Sequence, residues 1–150
     1  MKSESGEPIL NAQQIQEQVT KRLKRYEKLN DLEQFALFMG MAQILEAGLK
    51  NLLVRRYGYV HEKMEKWTLG MVKTELEKSG LRSNFIALLT SVVDYRNNIA
   101  HEYLANEALL KAILGGDTGR LNREHFDKAV YELEQLIFLY DWCEGHNAWA

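Results

Sequence analysis

The sequence predicts an all-α protein, a bundle of helices, on three observations. Its single proline, Pro8, stands ahead of everything else, so the strongest helix breaker is missing from the rest of the chain. Apolar residues recur three and four apart over long stretches, the period of a helix face. No stretch alternates with period two over several residues, so no strand is expected.

The chain of 150 residues fits one domain, expected over 10–150 behind a flexible tail over 1–9. A chain of this size buries roughly 68–70% of its extended surface on folding, enough for a core without disulfides or metal. Composition agrees, with 46% hydrophobic and 27% charged residues.

The first helix is expected from about Asn11 to Lys28, with Ile15, Val19, Leu23 and Tyr26 on one narrow stripe. Polar residues surround that stripe, so the helix should pack on one side only. The second is expected from Asp31, as N-cap, to Tyr57, with Gly58 as the stop. Phe35, Phe38, Ala42, Leu45, Leu49 and Leu52 form its packing seam. A second stripe, Leu37, Met41 and Ile44, widens the apolar arc past half the circumference. Such a helix is either central in a bundle or part of a subunit interface.

A shorter helix follows Thr68, reading LGMVKTELEKSG, with Gly80 where a helix end favours glycine. The next starts near Ser83. After LLKAIL comes the loop GGDTGR, 115–120, and Asn122 is expected to cap a last helix. Its apolar positions are Phe126, Ala129, Val130, Leu133, Leu136, Ile137 and Tyr140.

Net charge is -2, so the field of the whole molecule does not draw nucleic acid in, and any such contact must be local. Two basic clusters exist, KRLKR at 21–25 and Lys50 with Arg55 and Arg56, and on helices these are usually a solvated face. The lone Cys143 cannot form an intrachain disulfide, which points to a reducing compartment. MKSESGEP lacks the apolar core of a signal peptide, and no uninterrupted apolar run nears the roughly eighteen residues that cross a bilayer. A cytoplasmic protein without membrane contact is the expectation.

Several patterns carry no chemistry. Four histidines and one cysteine do not make a metal site: Cys143 and His146 have ligand-like spacing but lack further ligands. No metal and no cofactor is therefore expected. GGDTGR lacks the phosphate-cradling GxxxxGK[ST] pattern. Trp67, Trp142 and Trp149 suit core or interface anchors.

One stretch breaks its own pattern. Residues 95–103 read YRNNIAHEY. A helical wheel from Phe85 gathers Leu88, Leu89, Val92 and Ile99 on one face, and Arg96 falls about 20° from its start. An unpartnered buried guanidinium costs several kcal/mol, so either the face opens onto a cleft here or a carboxylate meets the arginine. His101 lies about 140° from Arg96 on an ideal helix. The two can act on one ligand only if the helix breaks near Asn97–Ala100 or a second subunit helps. Asn97 and Asn98 make a break plausible, since their side chains compete for backbone hydrogen bonds. Tyr103 returns to the side of Arg96. On spacing alone, a structural arginine salt-bridged within a bundle is the simpler reading.

RNNIAHEY, with the upstream LGMVKTEL and the Glu-containing ILEAGLKNLL, resembles the HEPN domains (higher eukaryotes and prokaryotes nucleotide-binding). Their hallmark is Arg, four to six residues, then His, often written RNxxAH; here these are Arg96, Asn97 and His101. The toxins of HEPN–minimal nucleotidyltransferase pairs extend the motif to Arg-x4-His-x-Tyr, which Tyr103 matches. The similarity spans about residues 31–140 in helix order, but only the motif is specific. The resemblance implies an up-and-down bundle of four or five helices that dimerises, two copies of the motif facing one cleft. Many members are metal-independent endoribonucleases of toxin–antitoxin, abortive-infection and other defence systems; others are non-catalytic modules that bind a nucleotide, RNA or a partner protein.

On that resemblance the catalytic pair is Arg96 and His101. Histidine changes protonation near neutrality and suits the base that takes a 2′-OH proton. Arginine forks onto phosphate oxygens and stays charged. The products would be a 2′,3′-cyclic phosphate and a 5′-hydroxyl, and DNA, lacking the nucleophile, would survive. Asn97 either orients Arg96 or the phosphate, or breaks the helix. Tyr103 contacts RNA, is the residue an antitoxin modifies with AMP, or simply packs. Glu46, at the border of the apolar arc of the second helix, either pairs with Arg96 or reaches to water. The partners implied are RNA, a second copy of the chain and a cognate antitoxin, a nucleotidyltransferase or another protein.

Overall fold

A computed structural model describes residues 11–105 and 123–150, and their side chains apart from those of 103–105. Five α-helices make up the described chain: α1 (Ala12–Leu23), α2 (Asp31–Tyr57), α3 (Leu69–Lys78), α4 (Ser83–Ala105) and α5 (Arg123–His146). Short 3-10 helices over Lys24–Tyr26 and His61–Met64 join the first pairs. No strand occurs among the described residues. The all-α bundle expected from periodicity is the observed class. The expected tail over 1–9, the loop 115–120 and the cap at Asn122 lie outside the described residues.

Local signals set the helix ends. Asn11 caps α1, its side chain accepting from the Gln13 amide at 2.8 Å. The N-cap of α2 is Asn30, not Asp31. Asn30 Oδ1 accepts from the Glu33 amide (2.8 Å) while Glu33 Oε1 accepts from the Asn30 amide (3.1 Å), a reciprocal capping box. Asp31 instead sits in the first turn, where a negative charge meets the positive end of the helix dipole. Asn30→Ala should therefore cost about 1 kcal/mol, read as a lower urea midpoint at unchanged slope.

Thr68 caps α3 through the Met71 amide at 3.3 Å. Gly58 (φ 76°) and Gly80 (φ 87°) end α2 and α3 in the left-handed conformation that a side chain would strain. The expected first helix is shortened. Its α-helical part stops at Leu23 and tightens into the 3-10 turn that brings Tyr26 inward, so Lys28 is already outside it.

α5 is the hub: α4, α1 and α2 all pack on it, while α3 packs on α4 and α2. The core is continuous and includes Phe38, Leu49, Phe85, Leu89, Phe126 and Leu133, with Phe38 edge-on to Phe126 at 5.7 Å between ring centres. The seam read from α2 is buried along its whole length, Phe35 through Leu52. Its second stripe is not: Leu37 and Met41 are half-buried and Ile44 is 69% exposed.

α2 also modifies the expectation about membranes. Among the described residues it is one helix long and apolar enough, by length and composition, to cross a bilayer, with a mean hydropathy of 1.3 over an 18-residue window. No uninterrupted run has that length, but the average over Gln43, Glu46 and Lys50 stays high. Nine of its residues, Gln34 and Glu46 among them, are buried against the bundle, as in a central helix.

Candidate functional site

α4 carries the motif, and it runs unbroken through Asn97, Asn98 and Ala100 to Ala105. The helix break considered at Asn97–Ala100 is therefore absent. Each asparagine is exposed and leaves the backbone ladder in place, because tertiary packing of Val92, Val93 and Ile99 outweighs a weak local preference. Within one chain, Arg96 and His101 keep the roughly 140° separation of an ideal helix.

Arg96 is half-buried on α4. Among the described residues its hydrogen-bond partner is Asn97 Oδ1, which accepts from Nη1 at 3.3 Å. No carboxylate among the described residues meets it. The contrast with other arginines is direct. Arg55 pairs with Glu144, Arg22 with Asp141 (2.9 Å), and Arg123 with Asp31 and Asp127 (3.6 Å each). His101 is exposed. The ring of Tyr95, next to Arg96, lies 5.0 Å from that of His125 in the first turn of α5, so the motif sits beside the described start of that helix. The side chain of Tyr103 lies outside the described part.

Glu46 does not reach Arg96. It is 7% exposed, accepts from Gln43 Nε2 at 3.1 Å, and pairs with Lys50 Nζ at 3.4 Å. The pairing and the path to water expected for it are both replaced by partners on its own helix. The i, i+4 spacing of Glu46 and Lys50 was the signal for this, since such pairs meet on a helix surface.

Arg96, Asn97 and His101 thus occupy the C-terminal half of α4, while Glu46 belongs to a separate polar cluster on α2. Among the described residues no group of three or more His, Cys, Asp or Glu side chains is arranged to hold a metal ion. Cys143 is buried and its thiol is pushed up by burial, and His146 instead meets the Trp142 carbonyl at 2.8 Å.

Two features escaped the sequence reading. A recess of about 290 Å³ lies between α2 and α5, lined by Met41, Ile44, Leu45, Gly48, Ile137 and Tyr140, and the exposed Ile44 stands on its edge. Glu134 is fully buried. Its position between Val130 and Ile137, an i+4 and i−3 neighbour on an otherwise apolar face, was the available signal.

Fold and site together define an all-α bundle that presents a half-buried arginine and an exposed histidine on one helix. Family models, curated proteins and solved structures yield no significant match to this chain.

Proposed function

We propose that the chain is a HEPN-like, metal-independent endoribonuclease of toxin–antitoxin or defence type, acting in the cytoplasm through Arg96 and His101. The observation that carries this reading is the state of Arg96: a guanidinium on the apolar side of α4 whose described partner is a neutral asparagine. A guanidinium that meets no described carboxylate keeps its fork of donors available to an anionic ligand such as phosphate. In the proposed reaction His101 accepts the proton of a ribose 2′-OH, and the resulting alkoxide attacks the adjacent phosphorus. The bond to the 5′-oxygen breaks, leaving a 2′,3′-cyclic phosphate and a 5′-hydroxyl. Arg96 neutralises the charge that builds on the phosphoryl oxygens.

The unbroken α4 gives the proposal a specific form. One helix cannot aim both side chains at the same phosphate, so the site is composite, Arg96 from one copy and His101 from the other. The exposed Ile44 of α2, at the edge of the recess between α2 and α5, is an apolar surface that a second copy would cover. Ile44→Glu should lower the sedimenting mass to that of one chain if the pairing uses that face, and an unchanged dimer would place the interface elsewhere.

The direct test is a labelled structured RNA in EDTA, beside single-strand DNA of the same bases. Cleavage of RNA alone, ending in a cyclic phosphate, is the expected result; cleavage of DNA rejects a 2′-OH nucleophile. The second reading is a non-catalytic module that binds a nucleotide, RNA or a partner protein, and binding without turnover that depends on Arg96 separates it from the first. A cognate antitoxin, with Tyr103 as the residue it modifies, belongs to the same proposal and is read by mass spectrometry of Tyr103 after co-expression with the neighbouring gene.

A further inference from the structure

The N-terminal helix is fastened differently from the rest of the bundle. α1 buries one side chain, Val19, and its principal helix neighbour is α5. The 3-10 turn after it adds Tyr26, and the continuous core running through α2, α3, α4 and α5 takes no other fully buried residue from this segment. Where the segment meets α5 lies Glu134, with no exposed surface. The Tyr26 hydroxyl donates to Glu134 Oε1 at 3.3 Å. Oε2 accepts no hydrogen bond, and the Arg22 guanidinium stands 3.8 Å from it. Arg22 is drawn instead toward the exposed Asp141, at 2.9 Å. A carboxyl group is thus held out of water where α1 packs on α5, with one oxygen that accepts no hydrogen bond and is reached only by the Arg22 guanidinium at 3.8 Å.

We propose that this contact is a charge-strained latch: α1 and its 3-10 turn form a displaceable cover on α5, docked most firmly when Glu134 is protonated and loosened as it ionises. The groups that face Glu134 are Arg22 from α1, Arg25 and Tyr26 from the turn, and Asp141 from α5 itself, acting through Arg22. α2 adds the neutral Gln34, which donates to the Tyr26 carbonyl at 2.8 Å. Burial raises the Glu134 carboxyl above the usual carboxylate range and outweighs the two arginines and the tyrosine, which lower it.

The direction with pH follows. An acid whose pKa is higher docked than released favours docking below the ordinary carboxylate range, and that advantage is lost as pH rises through the docked value. The latch is therefore tightest in mild acid and looser toward neutral and alkaline pH. Release returns Glu134 to water and leaves the core of the other four helices intact, because that core barely uses α1.

Hydrogen exchange of the full chain tests this, with rates at about pH 5 and about pH 8 each corrected for intrinsic exchange. Peptides of α1 should lose protection at the higher pH, while those of α3 keep theirs. Glu134→Gln keeps the shape and the acceptor for Tyr26, and should hold α1 equally at both pH values. Tyr26→Phe removes the donor that steadies the ionised carboxylate, and should widen the pH response. A wild-type α1 whose protection does not change with pH overturns the latch. So does a pH response that survives in Glu134→Gln, or one left unchanged in Tyr26→Phe.

Discussion

His101→Ala and Arg96→Ala chains should each cleave structured RNA on the order of 10²- to 10⁴-fold more slowly than the wild type, and a mixture of the two should recover part of the loss. The reason for recovery is the unbroken helix. If each site draws its arginine from one copy and its histidine from the other, a mixed dimer contains one complete site and one empty one. Random pairing then restores about a quarter of wild-type activity, as expected for a two-fold symmetric assembly. Two folded but inert variants that stay inert when mixed would mean that both groups act from one chain, against the geometry of α4. A wild type that is itself inert in EDTA would shift the reading to the binding module. Because Arg96 is half-buried and meets no described carboxylate, Arg96→Ala should also leave the urea midpoint close to that of the wild type. A structural arginine would lower it.

The second large effect concerns the far end of the bundle. Trp149→Ala should destabilise the chain by about 3–5 kcal/mol, the range for removing a fully buried aromatic side chain. In a domain of this size that lowers the melting temperature by roughly 2–4 °C per kcal/mol. Trp149 is 1% exposed, with its ring 5.2 Å from those of both Phe85 and Tyr140, and its indole N–H donates to Glu144 at 3.2 Å. The backbone that delivers it is equally specific. Asn147 takes a left-handed φ of 48° and the Ala148 amide donates to the Cys143 carbonyl at 2.8 Å, the pattern that terminates a helix and turns the chain back. The Arg82 amide then donates to the Trp149 carbonyl and its guanidinium to the Ala148 carbonyl, each at 2.9 Å. Urea unfolding of Trp149→Ala beside Trp67→Ala, whose residue is only half-buried against Tyr59, checks the ranking. Equal midpoints would show that the C-terminal turn carries little of the stability.

What could be read directly from the residues was what depends on near neighbours in the chain. Periodicity located the bundle helices described here, and Thr68, Gly58 and Gly80 marked ends where they occur, because a cap is an interaction over three or four residues. The same rule explains the error at Asp31. Asn30 and Glu33 already spelled the capping box, and the better pair was one residue earlier. The arginine on the apolar face of α4 was legible for the same reason, as a charge on a wheel.

Only the tertiary structure decided which local preference won. Asn97 and Asn98 argue for a break, yet neighbouring side chains on α4 are buried and the helix continues, so Arg96 and His101 stay on different sides of it. Glu46 stood on the border of an apolar arc, and no wheel could choose between Arg96, water and Lys50. Trp149 lies beyond the last helical period, and its seat depends on Phe85, distant in sequence. Glu134 shows the limit most plainly. Its spacing places it on the buried face of α5, but whether a carboxylate there is paired, hydrated or left short of a partner depends on where α1 comes to rest, and that is fixed by packing rather than by local sequence.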